Sequence, residues 1–161
     1  MIRKFVLGGA ALLAVGGTIW GVAGQDHTKR DSLGAVVTSG QLGVFVIHLG
    51  DCFESLPDKV TTIATLQAVP CSSPHHWQDY FKGTLTDSTY DPVAITAESR
   101  KICNEEASKL VQSWTATIAN EYQSAFETTF SPTPESWVKG DRALDCLTGS
   151  KIISFSDSVL S

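Results

Sequence analysis

The chain has 161 residues, which is room for one domain with a modest core. Its hydrophobic content of 42% and charged content of 18% are ordinary for a globular domain that carries an apolar segment. Two of the 12 basic residues and none of the 17 acidic ones fall in residues 1–24, so the rest has a formal charge of −7 (10 against 17). Such an acidic domain is unsuited to nucleic acid, and no nucleic-acid partner is expected.

An uncharged run from Phe5 to Gly24 follows the basic residues Arg3 and Lys4. A helix over this run reaches about 30 Å, the thickness of a bilayer core, which predicts a single-pass membrane anchor. The positive charge before it predicts a cytoplasmic N-terminus and a domain outside the membrane. A cleaved signal peptide is the alternative, because Val22-Ala23-Gly24 could serve as a cleavage site.

The remaining chain divides by composition into a polar tether at residues 25–43 and a folded extracytoplasmic domain at residues 44–161. The tether is rich in glycine and shows no periodicity. Three strands are predicted in the first part of the domain from β-branched and aromatic residues between turn signals: Val44 to Phe53, Thr61 to Val69 and Trp77 to Leu85.

One amphipathic helix is predicted next. Asp91 can cap it, Pro92 suits its first turn, and it should end near Ser113. Its buried stripe has helical spacing and consists of Cys103, Ala107, Leu110 and Trp114. A strand that includes Phe126 and Phe130 is expected to follow it.

A helical turn and a last strand complete the predicted elements. Thr133 can cap the turn, Pro134 fits its first position, and Gly140 can end it in a left-handed conformation. Arg142 to Leu147 is predicted as a strand, with the tail from Thr148 peripheral.

These elements predict an α+β fold: a small antiparallel sheet with one main helix packed on it, two disulfides, and a preceding N-terminal transmembrane helix. The four cysteines are Cys52, Cys71, Cys103 and Cys146. None lies in a C-x-x-C pair, and an even count in an exported chain favours two disulfides. Four cysteines allow three connectivities, which spacing alone does not resolve.

Several short motifs together resemble the septum-formation-related domain of actinobacterial cell-envelope proteins, over about Val44 to Leu147. They are Gly50-Asp51-Cys52-Phe53, Val69-Pro70-Cys71-Ser72-Ser73-Pro74-His75, a helix bearing Cys103, and Pro134-Glu135-Ser136-Trp137-x-x-Gly140-Asp141-Arg142-x-x-x-Cys146. The resemblance implies a domain outside the membrane behind an anchoring helix, with a role in division or envelope growth. It also implies an acidic residue shortly after the Pro-His pair, where this chain has Gln78.

The preferred pairing is Cys52 with Cys71, which would join two neighbouring strands, and Cys103 with Cys146, which would join the main helix to the last strand. Each closed loop would stabilise the domain by roughly 3–4 kcal/mol.

Three histidines suggest a zinc site, but their spacing argues against one. His48, His75 and His76 with Asp51 or Asp79 could bind zinc, but adjacent histidines on an extended chain point to opposite sides. The favoured interpretation is that His75 forms a hydrogen bond near a strand start while His76 faces water. No metal or other cofactor is expected.

Trp137, Arg142 and His75 are the candidates for partner binding. For Trp137, core packing with a satisfied indole N–H is favoured over display to a partner. Arg142 could reach a carboxylate elsewhere in the fold or a backbone carbonyl, and a buried structural ion pair is favoured over ligand binding.

No G-x-S-x-G, H-E-x-x-H or P-loop motif is present, so no catalytic residue is assigned. The leading hypothesis is a non-enzymatic, membrane-tethered envelope protein that binds or supports another envelope or integral membrane protein in septum formation or envelope assembly. One alternative is an accessory structural subunit of a large membrane complex. Another is a metal-binding or hydrolytic envelope protein.

Overall fold

The structure is a computed structural model that describes residues 23–57 and 62–160. Its strands are β1 (Lys29–Arg30), β2 (Val36–Thr38), β3 (Gly40–Gly43), β4 (Cys52–Phe53), β5 (Thr65–Val69), β6 (Trp77–Thr84), β7 (Phe126–Phe130) and β8 (Ala143–Gly149). Its helical elements are a 3₁₀ turn (Val44–Val46), α1 (Pro92–Ser113), α2 (Ala116–Glu121) and α3 (Pro134–Val138).

Six strands form one antiparallel sheet in the order β3-β5-β4-β6-β8-β7, and β1 pairs with β2 separately. The mixed fold with one main helix is confirmed, but the sheet is larger than predicted. Residues 40–43, which we expected in the tether, pair residue by residue with β5. Leu42 is fully buried there, and that burial draws the segment into the sheet.

Helix α1 begins and ends where the sequence predicts. The Asp91 side chain accepts hydrogen bonds from the backbone N–H groups of Val93 and Ala94, which stabilises the start of the helix. Its buried face includes Cys103 and Ala107. The Cys103–Cys146 disulfide then fastens this face to β8, and a Cys52–Cys71 disulfide joins β4 to the residues just after β5. Both predicted pairings are confirmed.

Apolar residues cover both faces of the sheet. On the α1 side the buried cluster includes Leu85, Ile95, Tyr122, Trp137, Leu144, Cys146, Phe155 and Val159. On the other side it includes Val36, Leu42, Ile47, Phe53, Leu66, Trp77 and Leu147. Strand β8 is buried from Leu144 to Gly149 and contributes side chains to both clusters, so it is the central element of the fold.

The predicted strand Val44 to Phe53 is wrong over its first half. Val44–Val46 forms a 3₁₀ turn, and only Cys52–Phe53 forms a strand. The Val44 N–H donates to the Ala64 carbonyl, directly after the β3–β5 pairing ends at Gly43. The chain turns away from the sheet at this point because tertiary pairing outweighs the strand preference of β-branched residues.

The C-terminal segment, residues 150–160, is not peripheral. Phe155 and Val159 are in the core, and the backbones of Phe155 and His75 exchange hydrogen bonds of 2.7 and 2.9 Å. The Glu121 side chain accepts from the N–H groups of Ser156 and Asp157. These contacts hold the segment across the end of the sheet.

Among the helices in the described part of the chain, none has both the length and the apolar character needed to cross a bilayer. The predicted anchor, Phe5 to Gly24, lies outside the described residues except at its last two positions.

Candidate functional site

His75 is fully buried and occupied at both ring nitrogens. Its Nδ1 lies 2.9 Å from the Ser73 carbonyl oxygen, so Nδ1–H is the donor. Its Nε2 lies 3.1 Å from the Tyr122 hydroxyl oxygen, whose single proton also has the Asp157 carbonyl oxygen as an acceptor at 2.8 Å. Burial lowers the pKa of His75, against the opposing effect of the Ser73 carbonyl. The favoured interpretation of His75 as a structural hydrogen-bonding residue is confirmed.

The other histidines do not join His75. His76 lies 3.0 Å through Nδ1 from the Ser150 carbonyl oxygen, and His48 is exposed. Asp51 is buried, and the guanidinium of Arg30 contacts both of its carboxylate oxygens, at 2.7 and 2.9 Å. Across residues 23–57 and 62–160, no group of three or more His, Cys, Asp or Glu side chains could hold a metal ion.

Trp137 and Arg142 are in contact. In the sequence they lie before and after Gly140, which has a left-handed conformation. Thr133 and Ser136 form a capping box at the start of α3, and Gly140 follows its end with φ of +92°. Trp137 is only 5% exposed. The Arg142 guanidinium lies 3.5 Å from the centroid of the Trp137 ring, and its Nη1 donates to the Trp137 and Asp141 carbonyl oxygens. The predicted core role of Trp137 is confirmed. For Arg142 the favoured ion pair is wrong: among the described residues its guanidinium contacts backbone carbonyls and the Trp137 ring instead of a carboxylate.

A buried carboxyl group lies on β6 beside β8. It belongs to Asp79, which the sequence offers only as a possible ligand of a zinc site, and no such site forms among the described residues. Asp79 is fully buried, and among the described residues neither of its carboxylate oxygens has a hydrogen-bond partner. Burial, reinforced by the charge of Asp145, raises the pKa of Asp79 to about 9. Asp145 itself forms an ion pair with Lys82, its partner across the strands. The group is therefore an uncharged acid beside a neutralised pair.

Lys82 and Asp145 lie at one end of a groove on the sheet face opposite α1. The groove consists of two adjoining cavities of about 690 and 450 Å³. Apolar side chains line the larger cavity and include Val44, Phe45, Leu56, Ile63, Trp77 and Phe130. Lys82, Lys139, Asp141 and Asp145 line the smaller one. Val44, Phe45 and Phe130 belong to both cavities, so the apolar surface leads into the charged end.

The sequence does not predict this groove. It predicts strands for both Phe45 and Phe130, and that prediction does not indicate that the two side chains line one cavity. Their proximity depends on the 3₁₀ turn at Val44–Val46, which carries Phe45 over the sheet toward β7. The sequence signal for the groove is the apolar run from Val44 to Ile47. It ends several residues before the strand at Cys52, so it can form a separate element.

A family model with the description septum formation matches residues 22–146, more than half of the chain. The match contains the whole groove except Lys151, and it ends at Cys146, within β8. No curated protein matches the chain, and no solved structure does.

Proposed function

The chain belongs to the septum-formation family, and from this premise we propose that it is a membrane-tethered, extracytoplasmic, non-enzymatic envelope protein whose groove binds a partner in septum formation or envelope assembly. The anchor predicted at Phe5 to Gly24 would hold the domain at the outer face of the cell membrane.

The groove is the observation that carries this proposal. Concave, mainly apolar surfaces with a few placed polar groups are the usual form of binding sites. Here Ile63 and Phe130 line the apolar part, and the Lys82–Asp145 pair lies at its end. The Lys82 side chain is exposed while Asp145 is buried, and the pair offers a donor and an acceptor to a peptide backbone. An extended protein segment with one large apolar side chain fits this arrangement.

The charge of the domain specifies the partner further. Residues 25–161 have a formal charge of −7. Complementary charge speeds association and disfavours wrong partners. We therefore expect the partner to be basic around the segment that enters the groove. The charged lining of the groove itself is balanced between three lysines and three acidic residues: Lys82, Lys139, Lys151, Glu135, Asp141 and Asp145.

A binding role is favoured over a chemical one by the state of the ionisable groups. His75 has both ring nitrogens engaged, and Lys82 and Asp145 engage each other. Asp79 is uncharged at neutral pH and is fully buried. A general base needs a free, basic atom within reach of a substrate, and none of these four groups supplies one.

Site-specific photo-crosslinking in growing cells tests the groove. A photoreactive residue at Ile63, which lines the groove, is expected to capture a distinct envelope protein. The same residue at Val111, 53% exposed on α1, is the matched control and should not capture it. Binding to the purified partner is then measured for Ile63→Lys, which places a positive charge in the groove, and for Val111→Lys.

We expect Ile63→Lys to weaken binding by roughly tenfold or more, since it removes apolar burial and repels a basic segment. Val111→Lys should leave binding unchanged. Equal effects of the two variants would refute the groove as the binding site. Capture of several subunits of one membrane complex would favour the accessory-subunit alternative.

The membrane anchor predicted at Phe5 to Gly24 is tested separately, by alkaline extraction of membranes and by protease treatment of spheroplasts. Retention of the chain in the membrane, with its domain accessible from outside, is the expected result. Release of a shortened chain into the medium would favour the cleaved signal peptide instead.

A further inference from the structure

The two edges of the six-stranded sheet differ. The outer edge of β3 is covered, because His27 N–H donates to the Gln41 carbonyl and Gly43 N–H donates to the Gln25 carbonyl. At the other edge, no hydrogen bond outside the β7–β8 ladder involves the backbone of Phe126–Phe130 within the described part of the chain. Strand β7 therefore presents an open row of backbone donors and acceptors.

Natural sheets protect such edges with charged side chains, Lys above all, with Pro or with a bulge. Strand β7 has the sequence FETTF, in which Glu127 is the one charged residue; it has no Lys and no Pro, and it pairs with β8 without a register shift. Phe126 is 66% exposed at one end of it. An edge strand with an open backbone and exposed aromatic surface is a template for pairing with another strand.

The sequence of β7 is complementary to itself. An antiparallel pair centred on Thr128 places Phe126 opposite the Phe130 of a second copy, and Glu127 opposite its Thr129. Aromatic pairs stabilise neighbouring strands, whereas like charges directly opposite destabilise them. Centring the pair on Glu127 would oppose two carboxylates, and centring it on Thr129 would bring in Pro132, which has no N–H to donate.

We propose that two copies of this chain associate through their β7 strands, antiparallel and centred on Thr128, to form one continuous sheet across a two-fold axis. A two-fold axis is the commonest symmetry of protein dimers. Thr128 and Phe130 also line the groove, so the dimer sets two grooves beside the axis. A contact of five residues is smaller than a stable interface requires, and association depends on concentration.

Disulfide trapping of the full-length protein tests both the contact and its register. The four native cysteines are paired with each other, so an introduced thiol is the one free thiol in each variant. On the axis, Thr128→Cys puts two thiols directly opposite, at about the cross-strand Cβ spacing of 4.5–5.5 Å. Oxidation of Thr128→Cys should give roughly tenfold more covalent dimer than Val111→Cys on α1, which lies away from β7.

The neighbouring positions test the register. Glu127→Cys and Thr129→Cys should each dimerise poorly alone, because each faces the other residue across the axis. A mixture of these two variants should form the mixed covalent dimer. Thermal unfolding of each variant, with both native disulfides intact, checks that folding is unchanged.

Failure of Thr128→Cys to exceed the Val111→Cys control, with folding unchanged, would overturn the proposal. So would efficient dimerisation of Glu127→Cys alone, which requires another register. Attachment of Thr128→Cys in cells to a different protein instead of a second copy would also overturn it and would assign β7 to a partner strand. None of these results depends on binding at Ile63, so this proposal and the groove proposal fail independently.

Discussion

At the scale of single residues, Asp79 is the group most altered by its surroundings. It is fully buried, lacks a hydrogen-bond partner among the described residues, and lies near a second carboxylate, Asp145. A buried carboxylate without a partner is costly, so the group keeps its proton and the pKa rises to about 9. This arrangement makes the stability of the fold depend on pH.

The folded protein holds a proton on Asp79 between about pH 4 and pH 9 that the unfolded chain releases. The free energy of unfolding should therefore fall as pH rises through this range, by at most about 1.4 kcal/mol per pH unit from this one group. Asp79→Asn, which stays neutral and keeps the shape, should flatten the fall. Urea unfolding from pH 5 to 8.5 measures both slopes.

Glu105→Gln, on the exposed face of α1, is the control and should keep the slope of the natural sequence. If the curves for Asp79→Asn and the natural sequence run parallel, Asp79 is ionised in the folded state at neutral pH and the assignment is wrong.

The residue scale also shows what a sequence can reveal. The core role of Trp137 and the turn at Gly140 follow from local rules, because caps and left-handed glycines act within a few residues. The state of Asp79 depends on Asp145, which is 66 positions away and becomes a neighbour only through the β6–β8 pairing. No local pattern predicts such a neighbour.

At the scale of elements, the two disulfides close loops of different length. The separation is 19 residues between Cys52 and Cys71 and 43 residues between Cys103 and Cys146. A longer closed loop restricts the unfolded chain more. The pair Cys103→Ala with Cys146→Ala should lower the free energy of unfolding by about 4 kcal/mol, against about 3 kcal/mol for Cys52→Ala with Cys71→Ala.

Chemical denaturation of the two double variants gives the comparison. Mass spectrometry must first show that the remaining disulfide is intact in each. A larger loss on removing the shorter loop would show that packing lost around Cys52 and Cys71 outweighs chain entropy.

Elements were predictable where local chemistry decides them. Asp91 with Pro92 marks the start of α1, and Thr133 with Pro134 marks the start of α3. Helix α2 was missed, although Thr115 caps it through the N–H of Ile118. Its six residues include Thr117 and Ile118, whose β-branched side chains favour strands, and packing of the buried Ile118 outweighs that preference.

At the scale of the whole molecule, the C-terminal segment closes the fold. It follows β8 and lies beyond residues 22–146, the part that matches the family. Gln78 donates to the Gly50 carbonyl and the Ser158 hydroxyl, and its side-chain oxygen accepts from Val159 N–H at 2.8 Å. A carboxylate at position 78 could accept from Val159 N–H and from the Ser158 hydroxyl, but it has no N–H to donate to the Gly50 carbonyl. With glutamine in place of the acidic residue that the resemblance implies, one side chain connects Gly50 to the C-terminal segment.

Phe155 connects the segment to the core. Its ring stacks on Tyr122 with a centroid separation of 4.0 Å and an interplanar angle of 9°. Phe155→Ala should lower the free energy of unfolding by about 3–5 kcal/mol, the usual cost of removing a fully buried aromatic side chain. If the segment only lay on the surface, Phe155→Ala would lower the free energy of unfolding far less.

Ile152→Ala is the matched control, because Ile152 belongs to the same segment and is 87% exposed. Its effect should stay within about 0.5 kcal/mol. Urea denaturation of both variants, with hydrogen exchange at the His75 and Phe155 amides, separates loss of the whole fold from detachment of the segment. If Phe155→Ala leaves the unfolding midpoint unchanged but exposes those two amides to exchange, the segment detaches as a separate unit and the rest of the core folds without it.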